Sequence, residues 1–143
     1  MPKISDNEFY GSLVTDISKR SYSKRKQVGA LAVRDNDIIA YGFNGTPKGF
    51  DNCCEDINNV TKPEVLHAEL NLICKCAKSG KSLDGASLYI ILSPCIDCAK
   101  LIVQCGIKEV FYIEEYRNIE GIEFLKKNNI PIMQFKISNV DII

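Results

Sequence analysis

Ser87-Leu88-Tyr89-Ile90-Ile91-Leu92-Ser93-Pro94-Cys95-Ile96-Asp97-Cys98-Ala99-Lys100 packs a change of secondary structure and two metal-binding side chains into one short stretch. Residues 87 to 92 form an apolar run rich in aromatic and β-branched types and read as a buried strand. Pro94 suits the start of a helix from about Ile96 to Cys105, because its ring presets φ and its missing N–H would have no helical partner there. Cys95 and Cys98 then fall one turn apart on one face and aim at one point. A sheet that delivers thiols at a helix start is an α/β arrangement.

A third donor lies upstream. His67 is the only histidine, and Glu69 follows two residues later. If residues 65 to 77 form a helix, both lie in its first turn, where unpaired N–H groups also point into the site. Residues two apart do not share a helix face, so Glu69 can stand beside a metal that His67 binds. One imidazole and two thiolates suit tetrahedral zinc, and three protein ligands leave a fourth position for water, whereas a structural site fills all four. Such water can attack an electron-poor carbon when a neighbouring group takes and returns its proton. Glu69 is placed for that task. Taken singly, these features have ordinary readings: Cys-x-x-Cys is also a redox pair or half of a closed zinc site, and a lone histidine is also a packed or surface residue. Their combination is what points to a catalytic metal.

His-x-Glu followed by Pro-Cys-x-x-Cys is an established signature of zinc nucleobase deaminases, so the match is to a known pattern. With Gln27-Val28-Gly29-Ala30, Gly42-Phe43-Asn44-Gly45-Thr46-Pro47-Lys48-Gly49 and His67-Ala68-Glu69-Leu70-Asn71, the chain resembles the cytidine and deoxycytidylate deaminase superfamily. It looks most like the deoxycytidylate (dCMP) deaminases of bacteria and phages. The resemblance spans roughly residues 5 to 135. It implies hydrolytic deamination of dCMP to dUMP and ammonia, supplying dUMP for dTMP synthesis. It also implies that Glu69 takes the proton from water, protonates N3 and helps ammonia depart. Asn44 would bond the sugar or base, the Ala68 N–H would meet the base carbonyl, and the Ser93 carbonyl, beside Pro94, would accept from the amino group. Homo-oligomers, activation by dCTP and inhibition by dTTP are family expectations too. Some phage relatives carry a second zinc on a long insert. Here only about a dozen residues join Cys54 to His67 and no second histidine exists, so one Zn2+ per chain is expected, with Cys53 and Cys54 left as possible soft ligands.

At 143 residues and 45% hydrophobic content, residues 1 to 143 are expected to form one domain. Eighteen basic residues balance 18 acidic ones, so no overall basic field attracts a nucleic-acid backbone, and a small substrate is favoured. Seven cysteines, two of them in the metal motif, argue against a disulfide framework and for a reducing compartment, the cytoplasm or a host's cytoplasm. No apolar run matches a membrane span, and the start lacks a signal peptide's hydrophobic segment.

The remaining elements follow from periodicity. Residues 5 to about 20 read as an amphipathic helix with Phe9, Leu13 and Ile17 inward. Residues 28 to 33 and 38 to 42 form a hairpin about a polar turn, residues 44 to 63 an ordered active-site loop, 109 to 113 a strand, 118 to 127 a helix and 131 to 135 a last strand. The order α-β-β-α-β-α-β-α-β predicts a three-layer α/β/α sandwich with a five-stranded mixed sheet, cytidine deaminase-like, its later strands parallel.

Several charged positions have two readings each. Lys24 or Arg25, in Lys24-Arg25-Lys26, either holds a 5′-phosphate or belongs to a solvated charge run. Tyr116 and Arg117 either close over the nucleotide or stay solvated at the rim. Lys48 meets phosphate or faces water, and Lys75 and Lys78 serve an effector or subunit surface or simply polarise a helix. Cys74, Cys76 and Cys105 read as small buried hydrophobes, and Asn71 as satisfying local backbone. Rival functions are deamination of free cytidine or deoxycytidine, deamination of adenosine in tRNA, and a non-catalytic, zinc-stabilised interaction module. A basic RNA-binding face, which the tRNA reading needs, is not evident in the balanced charge.

Overall fold

The computed structural model describes residues 2–137. Helix α1 (Asp6–Ser18) starts where the Ser5 hydroxyl accepts from the Glu8 N–H at 3.1 Å, a Ser N-cap satisfying an orphan donor. Strands β1 (Gly29–Arg34) and β2 (Asp37–Phe43) form an antiparallel hairpin. Its two turn residues, Asp35 and Asn36, both have positive φ, 53° and 62°, the backbone that matches a tight turn to strand twist. Helix α2 (Ala68–Ser79), β3 (Ser87–Leu92), α3 (Ile96–Gln104), β4 (Glu109–Glu114), α4 (Glu120–Lys127) and β5 (Ile132–Gln134) follow.

One mixed sheet runs β2-β1-β3-β4-β5, antiparallel across β1 and parallel from β3 to β5. Alternate residues separate two cores. Leu31, Val33, Tyr89 and Ile91 meet Tyr10 and Val14 of α1 together with Phe135. Ala30, Ala32, Leu88, Ile90 and Val110 face Leu72 of α2, Ala99 and Ile102 of α3, and Ile122 and Leu125 of α4. The three-layer α/β/α sandwich with a five-stranded mixed sheet is therefore as expected, with α1 on one face and α2, α3 and α4 on the other. Among the described residues no helix is long and apolar enough to cross a membrane.

Four local expectations need correction. In α1, Phe9 is 44% exposed while Tyr10 and Val14 are buried. Leu13 and Ile17 pack against the core as expected, while Tyr10, its ring 5.2 Å from that of Tyr89, takes the inward place of Phe9. Cys74 is exposed and Cys105 half-buried, leaving Cys76 alone as the fully buried thiol of the three. Helix α4 starts at Glu120 rather than residue 118, since the Asn118 side chain accepts from the Glu120 N–H at 2.9 Å and stays outside. Strand β5 is three residues long; just past it, Phe135 still donates its N–H to the Tyr112 carbonyl at 2.9 Å and packs its side chain into the α1 core.

Candidate functional site

Leu66 and Gly45 exchange backbone hydrogen bonds, Leu66 N–H to Gly45 O at 2.7 Å and Gly45 N–H to Leu66 O at 3.1 Å. This pairing keeps the chain extended through His67, which has φ −66° and ψ 156° and caps α2 rather than sitting inside its first turn. Cys95 repeats the arrangement: with φ −69° and ψ 168° it caps α3, and its sulfur accepts from the Cys98 N–H at 3.5 Å. Pro94 thus precedes the cap instead of opening the helix. Both shifts have one cause: an N-cap residue keeps extended backbone, and here those two caps carry the donor atoms.

His67 Nδ1 lies 3.5 Å from Cys95 Sγ and 3.5 Å from Cys98 Sγ, and the three donor atoms lie within 4.8 Å of one another. A tetrahedral ion with bonds of about 2.0 Å to nitrogen and about 2.3 Å to sulfur spaces those donors by about 3.5 Å. The residues therefore fit zinc in both chemistry and spacing. Among the described residues, His67, Cys95 and Cys98 are the one group of three or more metal-ligating side chains so gathered. Cys53 spends its thiol on the Glu55 carbonyl at 3.2 Å, and Cys54 is buried.

The cluster's protonation reflects its crowding. The Cys98 thiol donating to it, helped by His67, holds Cys95 down at about 4, whereas sharing with Cys95 and burial push Cys98 up. Hydrogen bonding to Cys95 raises His67. The group thus shares protons that a cation would displace, since zinc binds thiolate and neutral imidazole. Glu69, at 5% exposure, has its carboxyl raised to about 7 by burial, against the opposing pull of its backbone hydrogen bond and of His67. A carboxyl poised near neutrality can both accept and return a proton.

His67, Ala68, Glu69, Ser93 and Cys95 line a cavity of about 500 Å³. Asn44 lines it too, but its side chain is already spoken for: Oδ1 accepts from the Val28 N–H at 2.9 Å and Nδ2 donates to the Lys26 carbonyl at 2.8 Å. The Ser93 hydroxyl accepts from the Tyr116 N–H at 2.7 Å, which sets Tyr116 at the wall, next to Arg117. Arg25 lines the cavity, while Lys24 faces an adjoining groove that shares Ser23, Arg25 and Lys26 with it. Pro94 is buried behind the metal group, its carbonyl against Gly121, and is not part of the cavity wall.

The three lysines considered for effectors lie elsewhere. Lys48 is exposed in its loop, Lys75 donates to the Tyr41 carbonyl and stands 4.2 Å over the Tyr41 ring, and Lys78 is exposed in the last turn of α2. Asn71 donates to the Phe43 carbonyl at 2.9 Å, so it ties α2 to the end of β2 rather than satisfying local backbone. Sequence reading missed Ser23, Thr61 and Val65, which also line the cavity; no local pattern marks a serine, threonine or valine brought in from a distant loop.

The family model for the cytidine and deoxycytidylate deaminase zinc-binding region matches residues 4–114, and the chain belongs to that family. ComE operon protein 2 of Bacillus subtilis is 38% identical over 120 residues, covering 82% of this chain but only 64% of that protein's length. The deoxycytidylate deaminase of enterobacteria phage T4 is 32% identical over 154 residues, covering 78% of this chain and 80% of its own. A crystal structure of dCMP deaminase from the cyanophage S-TIM5, in complex with dCMP and dUMP, matches with a TM-score of 0.89 at 43% identity, over 94% of this chain and 100% of that one.

Proposed function

We propose that the chain converts dCMP to dUMP and ammonia by hydrolytic deamination, as a single domain built on the one continuous sheet. The observation that carries this reading is a buried carboxyl raised to about 7 in the same cavity as the His67 and Cys95 donors and the cations Arg25, Lys26 and Arg117. A cavity of about 500 Å³ whose wall carries Arg25, Lys26 and Arg117 beside Glu115 suits a nucleoside monophosphate, and the cyanophage relative holds dCMP and dUMP.

His67, Cys95 and Cys98 would hold the zinc, which when bound supplies Lewis acidity that makes water nucleophilic near neutral pH. Glu69 takes a proton from the water that adds at C4 of cytosine and passes it to N3. It then takes the proton of the hydroxyl now on C4 and delivers it to the amino group, so that the C4–N bond breaks, ammonia leaves and the C4 oxygen becomes the carbonyl of uracil. The Ala68 N–H donates to the base carbonyl oxygen, the Ser93 carbonyl accepts from the amino group, and Asn44, braced by Val28 and Lys26, meets the sugar. Arg25, Lys26 and Arg117 receive the 5′-phosphate, with Tyr116 closing the wall; Lys24, facing the adjoining groove, is the weaker candidate. Homo-oligomers and regulation by dCTP or dTTP rest on the family resemblance, and a cytoplasmic setting rests on the cysteine usage.

The test is ammonia release from dCMP, CMP, deoxycytidine and adenosine-containing RNA, each with and without dCTP. Efficient turnover of dCMP with a loss of at least about a hundredfold in kcat/KM for deoxycytidine is expected, since a site built for a charged group is penalised when that group is missing. Equal efficiency on deoxycytidine would assign the chain to free nucleosides, and turnover of the RNA alone to tRNA.

A further inference from the structure

Glu55 is a carboxylate at 6% exposure that no step of the proposed reaction uses. Its Oε2 accepts three hydrogen bonds: from the Ser23 hydroxyl at 2.9 Å, the Lys24 N–H at 3.0 Å and the Arg25 N–H at 3.2 Å. Burial pushes this carboxyl up, but the hydrogen bonds from Ser23, Arg25 and Lys24 outweigh it and leave it below the ordinary carboxylate range. Three donors from consecutive residues converging on one ionised oxygen make a strong, charge-assisted anchor.

On its own side Glu55 stands at the neck of a small hairpin. It pairs with Thr61, and the Asp56 N–H to Val60 O and Lys62 N–H to Cys54 O bonds, both 2.8 Å, close the hairpin around it. Thr61, and Val65 and His67 just beyond, form part of the cavity wall; Ser23, Arg25 and Lys26 form another part. Glu55 joins these two walls without lining the cavity itself.

We propose that Glu55 is a positioning residue for recognition of the substrate's 5′-phosphate. It clamps the Ser23 to Lys26 turn against the hairpin of residues 54 to 62, so that Arg25 and Lys26 present their charge to the cavity. The inference rests on the dCMP reading above. Lys26 is steadied on its other side by an ion pair with Glu114. The groups assigned to the base hang on different supports: Glu69 and Ala68 ride on α2, and Ser93 follows β3, both packed in the sheet core. Loosening the turn should therefore disturb phosphate recognition and spare chemistry on the base.

The experiment compares Glu55→Gln and Glu55→Ala with the unaltered protein, using dCMP and deoxycytidine as paired substrates, with zinc content and melting temperature measured alongside. Expected for Glu55→Gln is a rise of about tenfold or more in KM for dCMP, as a charge-assisted anchor becomes a neutral one. Its kcat on dCMP and its kcat/KM on deoxycytidine should stay within about threefold, with zinc unchanged. Glu55→Ala should show the same split more strongly; if it does not fold, Glu55→Gln, which keeps the shape, decides alone. A parallel fall on both substrates, or no change on either, overturns the positioning role while leaving the dCMP reading intact. Failure of the unaltered protein to prefer dCMP over deoxycytidine overturns that reading first, and the Glu55 proposal with it.

Discussion

Glu69 sits where folding and chemistry pull in opposite directions. Burying a carboxyl disfavours its charged form, and the same burial brings its titration up to about 7, where a proton carrier is most useful. Its place in the first turn of α2, two residues after a His67 that caps the helix, sets it beside the donor group with its carboxyl outside that group. Glu69→Gln keeps the volume and removes the ability to cycle a proton. The variant is expected to retain zinc in full and to lose at least about a hundredfold in kcat on dCMP. Metal analysis paired with ammonia release checks this, and near-normal turnover would remove Glu69 from proton transfer.

At the scale of elements, the site depends on close helix packing at two glycines. A Cβ at Gly121 would come 2.0 Å from the Pro94 carbonyl oxygen and 2.9 Å from the Cys95 carbonyl carbon. Helix α4 thus lies directly against the backbone that presents the Cys95 ligand. A Cβ at Gly42 would come 2.8 Å from the Leu72 N and 2.9 Å from the Ala68 O, so β2 supports α2 in the same way behind His67. Each contact is with backbone, which has little room to yield. Gly121→Ala is expected to cost about 1–3 kcal/mol or more through overpacking and to weaken zinc retention by displacing Cys95. Denaturation and metal titration read the two effects; a variant of unchanged stability and zinc affinity would show that α4 does not hold the ligand.

For the whole molecule, three donors from two separate helix starts make the metal a cross-link between α2 and α3. A ligand that binds the folded chain alone stabilises it by about 4 kcal/mol at a thousandfold excess over its dissociation constant. Chelation should accordingly lower the melting temperature, release one zinc per chain and abolish turnover, and added Zn2+ should restore all three. Loss of two equivalents, or a melting temperature indifferent to chelation, would contradict the site as drawn. The core of Leu72, Leu88, Ile90, Ile102 and Leu125, each fully buried, is what keeps the two helix starts facing each other without the ion.

The spacing of His67, Glu69, Cys95 and Cys98 and the two-residue alternation in β1 and β3 are short-range properties, governed by covalent geometry and the repeat of each element. They were legible in the amino-acid order alone, and with them the α/β class, the five strands and the identity of the donor group. Three kinds of fact were not. Whether His67 lies within its helix or caps it depended on the pairing of Leu66 with Gly45, a contact across 21 positions of the chain. That Tyr10 rather than Phe9 joins Leu13 and Ile17 on the inward side of α1 depended on Tyr89 beneath it. The joining of Glu55 to Ser23, Lys24 and Arg25 across about 30 residues has no periodic trace at all. Such contacts form only once the sheet has brought distant segments together, because a hydrogen bond across a long loop is fixed by three-dimensional packing and leaves no mark on neighbouring residues.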